Sequence, residues 1–216
     1  MDSQFQALPQ VEFPDNVKNT FFFKIFFNMM IYNSFIFMSS LVYNITPDVF
    51  FFNPYIMFFF GLFSLCLTQF APLCKSTLTL IYIFGTSYFF AEIIPSLYLQ
   101  ISSLSILFSF VIIIIYLKCK RDTPMSFSIS YGFCLSCSLI LNSLTYFLHD
   151  NPFIFIICLL DFLIIIYLSS FFFYLKQSIQ IFTPTQTLEA TQYIILFPIH
   201  LVKTFIFIIK SKFIRK

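Results

Sequence analysis

Long apolar runs fill most of this chain and constrain its fold more than any other feature. A helix needs about 20 mainly apolar residues to cross a bilayer. Apolar runs of about that length follow one another with short polar breaks. They are Phe21–Tyr43, Val49–Phe70, Leu78–Leu99, Ile101–Leu117, Ser126–Leu148, Pro152–Leu175 and Thr191–Ile209. The pattern predicts an all-α membrane bundle of six or seven transmembrane helices over residues 21–209, between a cytosolic segment (residues 1–20) and a basic tail (residues 210–216).

The low charge content supports this prediction and indicates the lipid bilayer as the main partner. Charged residues make up 10% of the 216 residues and hydrophobic residues 59%, whereas a soluble domain carries about 25% charged residues. A surface that faces lipid needs no charge, because the helical backbone satisfies its own hydrogen bonds. The net charge of +3 is too small to indicate a nucleic-acid partner.

The basic residues predict the orientation of the helices. The connecting segments alternate between basic and non-basic, and basic segments face the cytosol. We therefore expect a cytosolic N-terminus and lumenal loops at Asn44–Asp48 and His149–Asn151. Asn44 begins an N-glycosylation sequence, although a plain turn is the favoured interpretation. The basic residues on the cytosolic side are Lys18, Lys24, Lys75, Lys118, Lys120, Arg121 and Lys176.

One connection and one apolar run differ from the others. Only Gln100 to Ser103 separate the third and fourth runs, which predicts a tight hairpin there. The seventh run contains Pro198, His200 and Lys203 and precedes the basic tail. If this run spans the membrane, the tail is lumenal, against the rule for basic residues. A re-entrant or surface-lying segment keeps the tail in the cytosol, and both alternatives stay open.

Ionisable residues inside the runs are candidates for a functional site, because charges are costly in lipid. They are Glu92, Asp161, His200 and Lys203. At a rise of about 1.5 Å per residue, Glu92 and Asp161 each lie roughly 21 Å from the cytosolic end of their run, and Lys203 lies at a similar depth. One hypothesis is a structural ion pair between Lys203 and Asp161, with Glu92 left as the functional acid. The other is a site that binds or conducts a proton or cation.

Small residues and cysteines receive simpler interpretations. Ser128, Gly132 and Ser136 recur at every fourth residue, which predicts a helix-packing face. Cys134 and Cys137 form a C-x-x-C sequence inside an apolar run, where thiols act as small apolar groups. Cys74 and Cys119 lie at helix ends on the basic side and are candidates for palmitoylation. No nucleophile-elbow, zinc-protease or phosphate-loop motif is present, so we expect no enzyme activity, no cofactor and no metal.

The order of features resembles the Bax inhibitor-1 family, also called the TMBIM or Lifeguard family. The similarity lies in the basic-aromatic entry to the first run (residues 17–26), the third run up to Tyr98, the basic loop Lys118–Asp122 and the polar stretch Gln177–Glu189. The resemblance implies a pH-dependent calcium leak and a role in apoptosis regulation, at the endoplasmic reticulum or the Golgi rather than the plasma membrane.

The family's pair of membrane acids is replaced in this chain. The two matching positions hold Leu175 and His200, so any flux should respond to pH through His200, whose ordinary pKa is about 6.5. The competing hypothesis is a non-conducting scaffold or assembly subunit, in contact with other membrane proteins, whose buried charges are structural. A small transporter is less favoured, because no internal repeat is evident.

Overall fold

The described part of the structure is entirely helical. The computed structural model describes residues 13–49, 51–68, 74–94, 96–120, 122–148 and 154–196. Within these ranges there is no strand, and one short 3₁₀ turn, Pro47–Val49, follows the first helix. The α-helices are α1 (Asp15–Ile45), α2 (Pro54–Leu67), α3 (Lys75–Ile93), α4 (Ser96–Cys119), α5 (Phe127–Leu148), α6 (Ile154–Ile181) and α7 (Thr187–Ile195). The predicted all-α membrane bundle is confirmed.

Four of the described helices contain stretches long and apolar enough to cross a bilayer. The stretches are Asp15–Ile45, Leu97–Cys119, Phe127–Leu144 and Asp161–Ile181. The helix α2 is shorter, with 14 residues, and α3 has 19. The predicted seventh span continues past α7 into residues 197–209, which lie outside the described residues. Large apolar side chains such as Phe59, Phe63 and Phe162 are exposed on the outer surface, as contact with lipid requires.

The ends of α1 differ from the sequence prediction. The helix begins at Asp15, before the first apolar run at Phe21, and the predicted boundary between a cytosolic segment and the bundle at residue 20 stays a prediction. An acidic residue in the first turn is favoured by the helix dipole, and this signal is invisible to hydropathy. The helix also continues through Asn44. The turn after α1 therefore starts at Thr46, and Asn44 is an exposed residue of the last helical turn.

The break between α3 and α4 also lies elsewhere than predicted. It falls at Ile94 and Pro95, and residues Gln100 to Ser103 are helical. A residue before proline is disfavoured in the helical conformation, and Ile94 is extended, with φ −90° and ψ 131°. The serines that suggested a turn bond to their own helix instead, since the Ser103 hydroxyl donates to the Leu99 carbonyl at 2.7 Å.

The helix α1 is central and packs against α3, α4 and α7. The remaining close neighbours are α2 with α3, α4 with α5, α5 with α6, and α6 with α7. At its start, α1 is tied to the loop between α4 and α5, because the Asn19 amide donates to the carbonyls of Lys120 and Thr123 at 3.2 and 2.7 Å. The start of α1 therefore lies beside the end of α4, on the basic side.

The half of the bundle on this basic side, here called the packed half, contains a tight aromatic core. Its centre is formed by Phe26 of α1, Phe110 of α4 and Phe171 of α6, all fully buried. Their ring centroids are 5.1 to 5.5 Å apart, within the range of favourable aromatic pairs. Three helices that are distant in sequence therefore meet through complementary ring contacts.

The helices α2 and α3 approach each other closely at two glycines. A Cβ atom built on Gly85 lies 2.6 Å from the Met57 carbonyl oxygen and 3.2 Å from the Cα of Gly61. A Cβ atom closer than 3.0 Å to a backbone atom of the neighbouring helix would force the two backbones apart. The Ser64 hydroxyl donates across the same interface to the Leu78 carbonyl at 3.0 Å. This crossing is the small-residue packing that membrane helices use, and the sequence reading did not find it.

Candidate functional site

The half of the bundle opposite the basic residues, here called the hollow half, contains a cavity of about 400 Å³. Residues of α1, α2, α3, α4, α6 and α7 form its wall, and most of them are apolar. Seven polar side chains are exceptions: Tyr32, Asn33, Tyr82, Thr86, Ser102, Ser103 and Tyr167. A mainly apolar cavity with a few polar groups is the usual form of a small-molecule site in a protein.

One polar pair on the cavity wall is held rigidly. The buried amide of Asn33 donates to the Tyr167 hydroxyl at 3.0 Å and to the Met29 carbonyl at 2.9 Å. The first bond joins α1 to α6, and the second fixes the amide against its own helix. The Asn33 side chain therefore has a defined orientation inside an apolar environment, where such bonds are strongly favoured.

A second group of polar residues connects the cavity wall to Asp161. The Ser102 hydroxyl on the wall lies 3.5 Å from the Asn142 amide oxygen. The amide nitrogen of Asn142 donates to the Asp161 carboxylate. These residues come from α4, α5 and α6 in turn. Asp161 is half-buried and is therefore linked to the cavity through a short chain of polar atoms.

This chain belongs to a longer polar interface between α4 and α5. Ser102, Ser105 and Ser109 of α4 are buried, as are Cys134, Ser138 and Asn142 of α5. The hydroxyls of Ser105 and Ser138 are buried without a hydrogen-bond partner among the described residues. The sequence analysis did not predict this interface, although polar or small residues recur every three or four positions on both helices.

Glu92 lies near the end of α3. It is the penultimate residue of this helix, roughly 26 Å along the helix from Lys75. Its carboxylate oxygen Oε2 is buried and accepts no hydrogen bond from a described residue. Glu92 and Asp161 both lie toward the ends of their helices opposite the basic residues, and the layer that they were predicted to share with Lys203 stays a prediction.

The basic members of the predicted layer, His200 and Lys203, lie outside the described residues, so the predicted pair between Lys203 and Asp161 stays a prediction. In the ranges that the structure describes, one salt bridge is present, Lys18 to Asp15 at 3.7 Å. Leu175, at the first position of the family's acidic pair, is fully buried in the packed half.

The helix α7 begins inside the bundle. Gln192 is buried and donates to the Ser76 hydroxyl of α3 at 3.4 Å, while Thr191 accepts from Asn28 of α1 at 3.1 Å. Glu189, at the start of the same helix, is exposed. The start of the seventh run therefore packs against α1 and α3.

The predicted packing face on α5 makes no close helix contact in the described structure. Ser128 and Ser136 are exposed, and no neighbouring atom lies within 4 Å of a Cβ built on Gly132. The Ser136 hydroxyl instead bonds to the Gly132 carbonyl at 2.8 Å, within its own helix. The face of α5 that packs on α4 carries Cys134, Ser138 and Asn142 instead, and a packing role for Ser128, Gly132 and Ser136 stays a prediction.

The cysteines are free thiols in all six positions. Cys134 is buried and lies within hydrogen-bonding reach of Ser109, whereas Cys137 is only half-buried. Cys74 and Cys119 are exposed at helix ends, so a modifying enzyme could reach them. Among the described residues, no group of three or more His, Cys, Asp or Glu side chains is placed to hold a metal ion. The absence of enzyme activity stays a prediction.

Comparison with known proteins identifies no relative. No family model matches the chain, and neither a curated protein nor a solved structure is similar to it.

Proposed function

We propose that this membrane protein binds protons or small cations at Asp161 and passes them through the hollow half of the bundle. The observation that carries the proposal is the chain of polar atoms from the cavity wall at Ser102, through Asn142, to the Asp161 carboxylate. An acid inside a membrane bundle is a site for proton or cation binding by default. The partner that Asp161 has in the described structure is a neutral amide, which leaves its charge available to an ion.

The experiment is a flux assay on the full chain in liposomes, with a pH-sensitive dye and a calcium-sensitive dye inside. We expect Asp161→Asn to reduce flux to the level of protein-free liposomes, because it removes the charge and keeps the shape. Asp122→Asn is the matched control, since Asp122 is exposed in the loop between α4 and α5. Flux through the Asp161→Asn variant equal to that of the unaltered chain contradicts the proposal.

The second candidate is a non-conducting scaffold or assembly subunit, and one contact favours it. The bond from Asn142 to Asp161 ties α5 to α6, which is also what a structural polar contact does. Under this hypothesis no variant conducts, and Asp161→Asn lowers the unfolding temperature of the chain in detergent. The flux and unfolding measurements on the same variant therefore separate the two functions.

We further propose that the chain is a divergent relative of the Bax inhibitor-1 family. Its flux would then be a calcium leak, with a role in apoptosis. The order of helices and the basic loop between α4 and α5 support it, while the buried Leu175 argues against the family's own pH sensor. A location at the endoplasmic reticulum or Golgi is part of the same hypothesis. Fluorescence imaging of a tagged chain against organelle markers tests that location.

A further inference from the structure

We infer that the cavity of the hollow half binds an uncharged amphipathic molecule from the bilayer, with one hydroxyl group on an otherwise apolar body. The inference is independent of ion flux, because it rests on residues other than Asp161. The cavity volume of about 400 Å³ lies within the range of small-molecule sites, about 300–1,000 Å³. Three further observations define the ligand.

The first observation is the absence of charge. Among the described residues that line the cavity, none carries a charged side chain. Asp161 and Glu92 lie in the same half of the bundle but do not form part of the wall. A lipid with a charged headgroup has no counter-ion on this wall and is opposed by desolvation, unlike a proton or small cation, which the Asp161 carboxylate beside the cavity can neutralise. Fatty acids and phosphate-bearing lipids are therefore poor ligands for this cavity.

The second observation is a set of hydroxyl groups that lack partners. Tyr32 and Tyr82 line the cavity, and neither hydroxyl bonds to a described residue, unlike Tyr167, which accepts from Asn33 at 3.0 Å. Tyr82 of α3 and Tyr167 of α6 line the same cavity. In surroundings without water, an unbonded hydroxyl is unfavourable. A ligand hydroxyl that reaches Tyr82 can donate to one phenol and accept from the other.

The third observation is access from the lipid. Leu163 and Ile166 of α6 line the cavity and are also 44% and 37% exposed. Their neighbour Phe162 is exposed as well, so this face of α6 is apolar. A molecule dissolved in the bilayer meets the cavity at this face without passing through water. This entry route favours a lipid-soluble ligand over a water-soluble metabolite.

The test is photo-crosslinking of the full chain in nanodiscs. Two diazirine probes carry the proposed chemistry, one a sterol and the other a long-chain alcohol, and a diazirine fatty acid is the charged comparison. We expect one hydroxyl probe to label peptides of α3 or α6, and an excess of its unlabelled parent to compete. Labelling by the fatty acid should be weaker. The more strongly competed hydroxyl probe identifies the source of the ligand.

Variants of two cavity residues, each with a matched control, test whether the labelling occurs in the cavity. Tyr82→Phe removes only the hydroxyl, and the loss of one hydrogen bond should weaken competition by about 2- to 10-fold. Tyr55→Phe is its matched control, because Tyr55 is 58% exposed on α2 and does not line the cavity. Leu62→Phe fills part of the cavity and should reduce labelling, while Leu139→Phe, at an exposed position of α5, should not.

The folded state of each variant is checked by its elution volume and its helical circular dichroism. Labelling that Tyr82→Phe and Leu62→Phe both leave unchanged overturns the inference, and so does the absence of competed labelling by either hydroxyl probe. Stronger competed labelling by the fatty acid than by the alcohols also overturns it, because the argument from charge is then wrong.

Discussion

The two halves of the bundle share the helices α1, α4 and α6 but differ in how tightly these helices pack. In the packed half, α1, α4 and α6 meet through aromatic rings that leave no exposed surface on Phe26 or Phe110. In the hollow half, the same helices present tyrosine, asparagine and serine side chains around a cavity. A tightly packed region resists deformation, so the packed half can hold the helices in place while the hollow half keeps room for a ligand or an ion.

The largest expected difference between the halves concerns one phenylalanine in each. Phe110→Ala removes a fully buried ring at the aromatic centre. It should lower the free energy of unfolding by about 2–4 kcal/mol, somewhat less than in a soluble core, because lipid is as apolar as the core and mainly packing is lost. Phe90→Ala, at the half-buried wall of the cavity, should cost less than half as much. Equal losses in a denaturant titration in mixed micelles contradict the comparison.

The second prediction concerns the glycines where α2 crosses α3. Gly85→Ala places a methyl group 2.6 Å from the Met57 carbonyl oxygen, so the two helices must separate. We expect a loss of about 1–3 kcal/mol. Gly132→Ala is the control, because nothing lies within 4 Å of its Cβ, and alanine stabilises a helix relative to glycine by about 1 kcal/mol. The same titration should therefore give opposite signs at the two positions.

The third prediction concerns the polar chain in the hollow half. Asn142→Leu removes the amide that bonds to Asp161 and should cost about 1–3 kcal/mol, since the acid loses its partner. The double variant Asn142→Leu with Asp161→Leu should recover most of this loss. Additive losses in the double-mutant cycle show that the two side chains act independently, which contradicts the assigned contact.

The smallest expected effect separates bonded from unbonded serines. The Ser64 hydroxyl shares its proton between the Gly61 and Leu78 carbonyls, at 2.7 and 3.0 Å, so Ser64→Ala should cost about 0.5–1.5 kcal/mol. Ser138 is buried without a partner among the described residues, and Ser138→Ala should be neutral or stabilising. A loss at Ser138 as large as that at Ser64 indicates that a partner of the Ser138 hydroxyl lies in the remainder of the chain.

Hydropathy alone predicted the class of fold and the approximate position of each described helix. It could not predict which faces pack, because these helices are apolar nearly all round and show no useful periodicity. For this reason the predicted packing face of α5 was the one with Ser128, Gly132 and Ser136, whereas a different face of α5 packs on α4. A local backbone rule was available for the break at Pro95 and was a better guide than the polar stretch after it.

The candidate site was only partly predictable for the same reason. Asp161 was identified because a charge in an apolar run is unusual. Its partner Asn142 is an ordinary polar residue on another helix, and only the folded arrangement brings the two together. The cavity was not predicted at all. Its polar lining comes from four separate helices, and no spacing within one segment shows that Asn33 and Tyr167 meet.

The central position of α1 has a consequence for the biosynthesis of the protein. It comes before the other described helices in the chain and needs partners that are made much later, since it packs against α3, α4 and α7. The chain from Ile45 to Cys119 is about 75 residues long, which takes roughly 4–15 s to synthesise at about 5–20 residues per second. During that interval the amides of Asn19 and Asn33 have not yet met Thr123 and Tyr167. The packing of α1 is therefore completed only after α4 and the later helices α6 and α7 have been made.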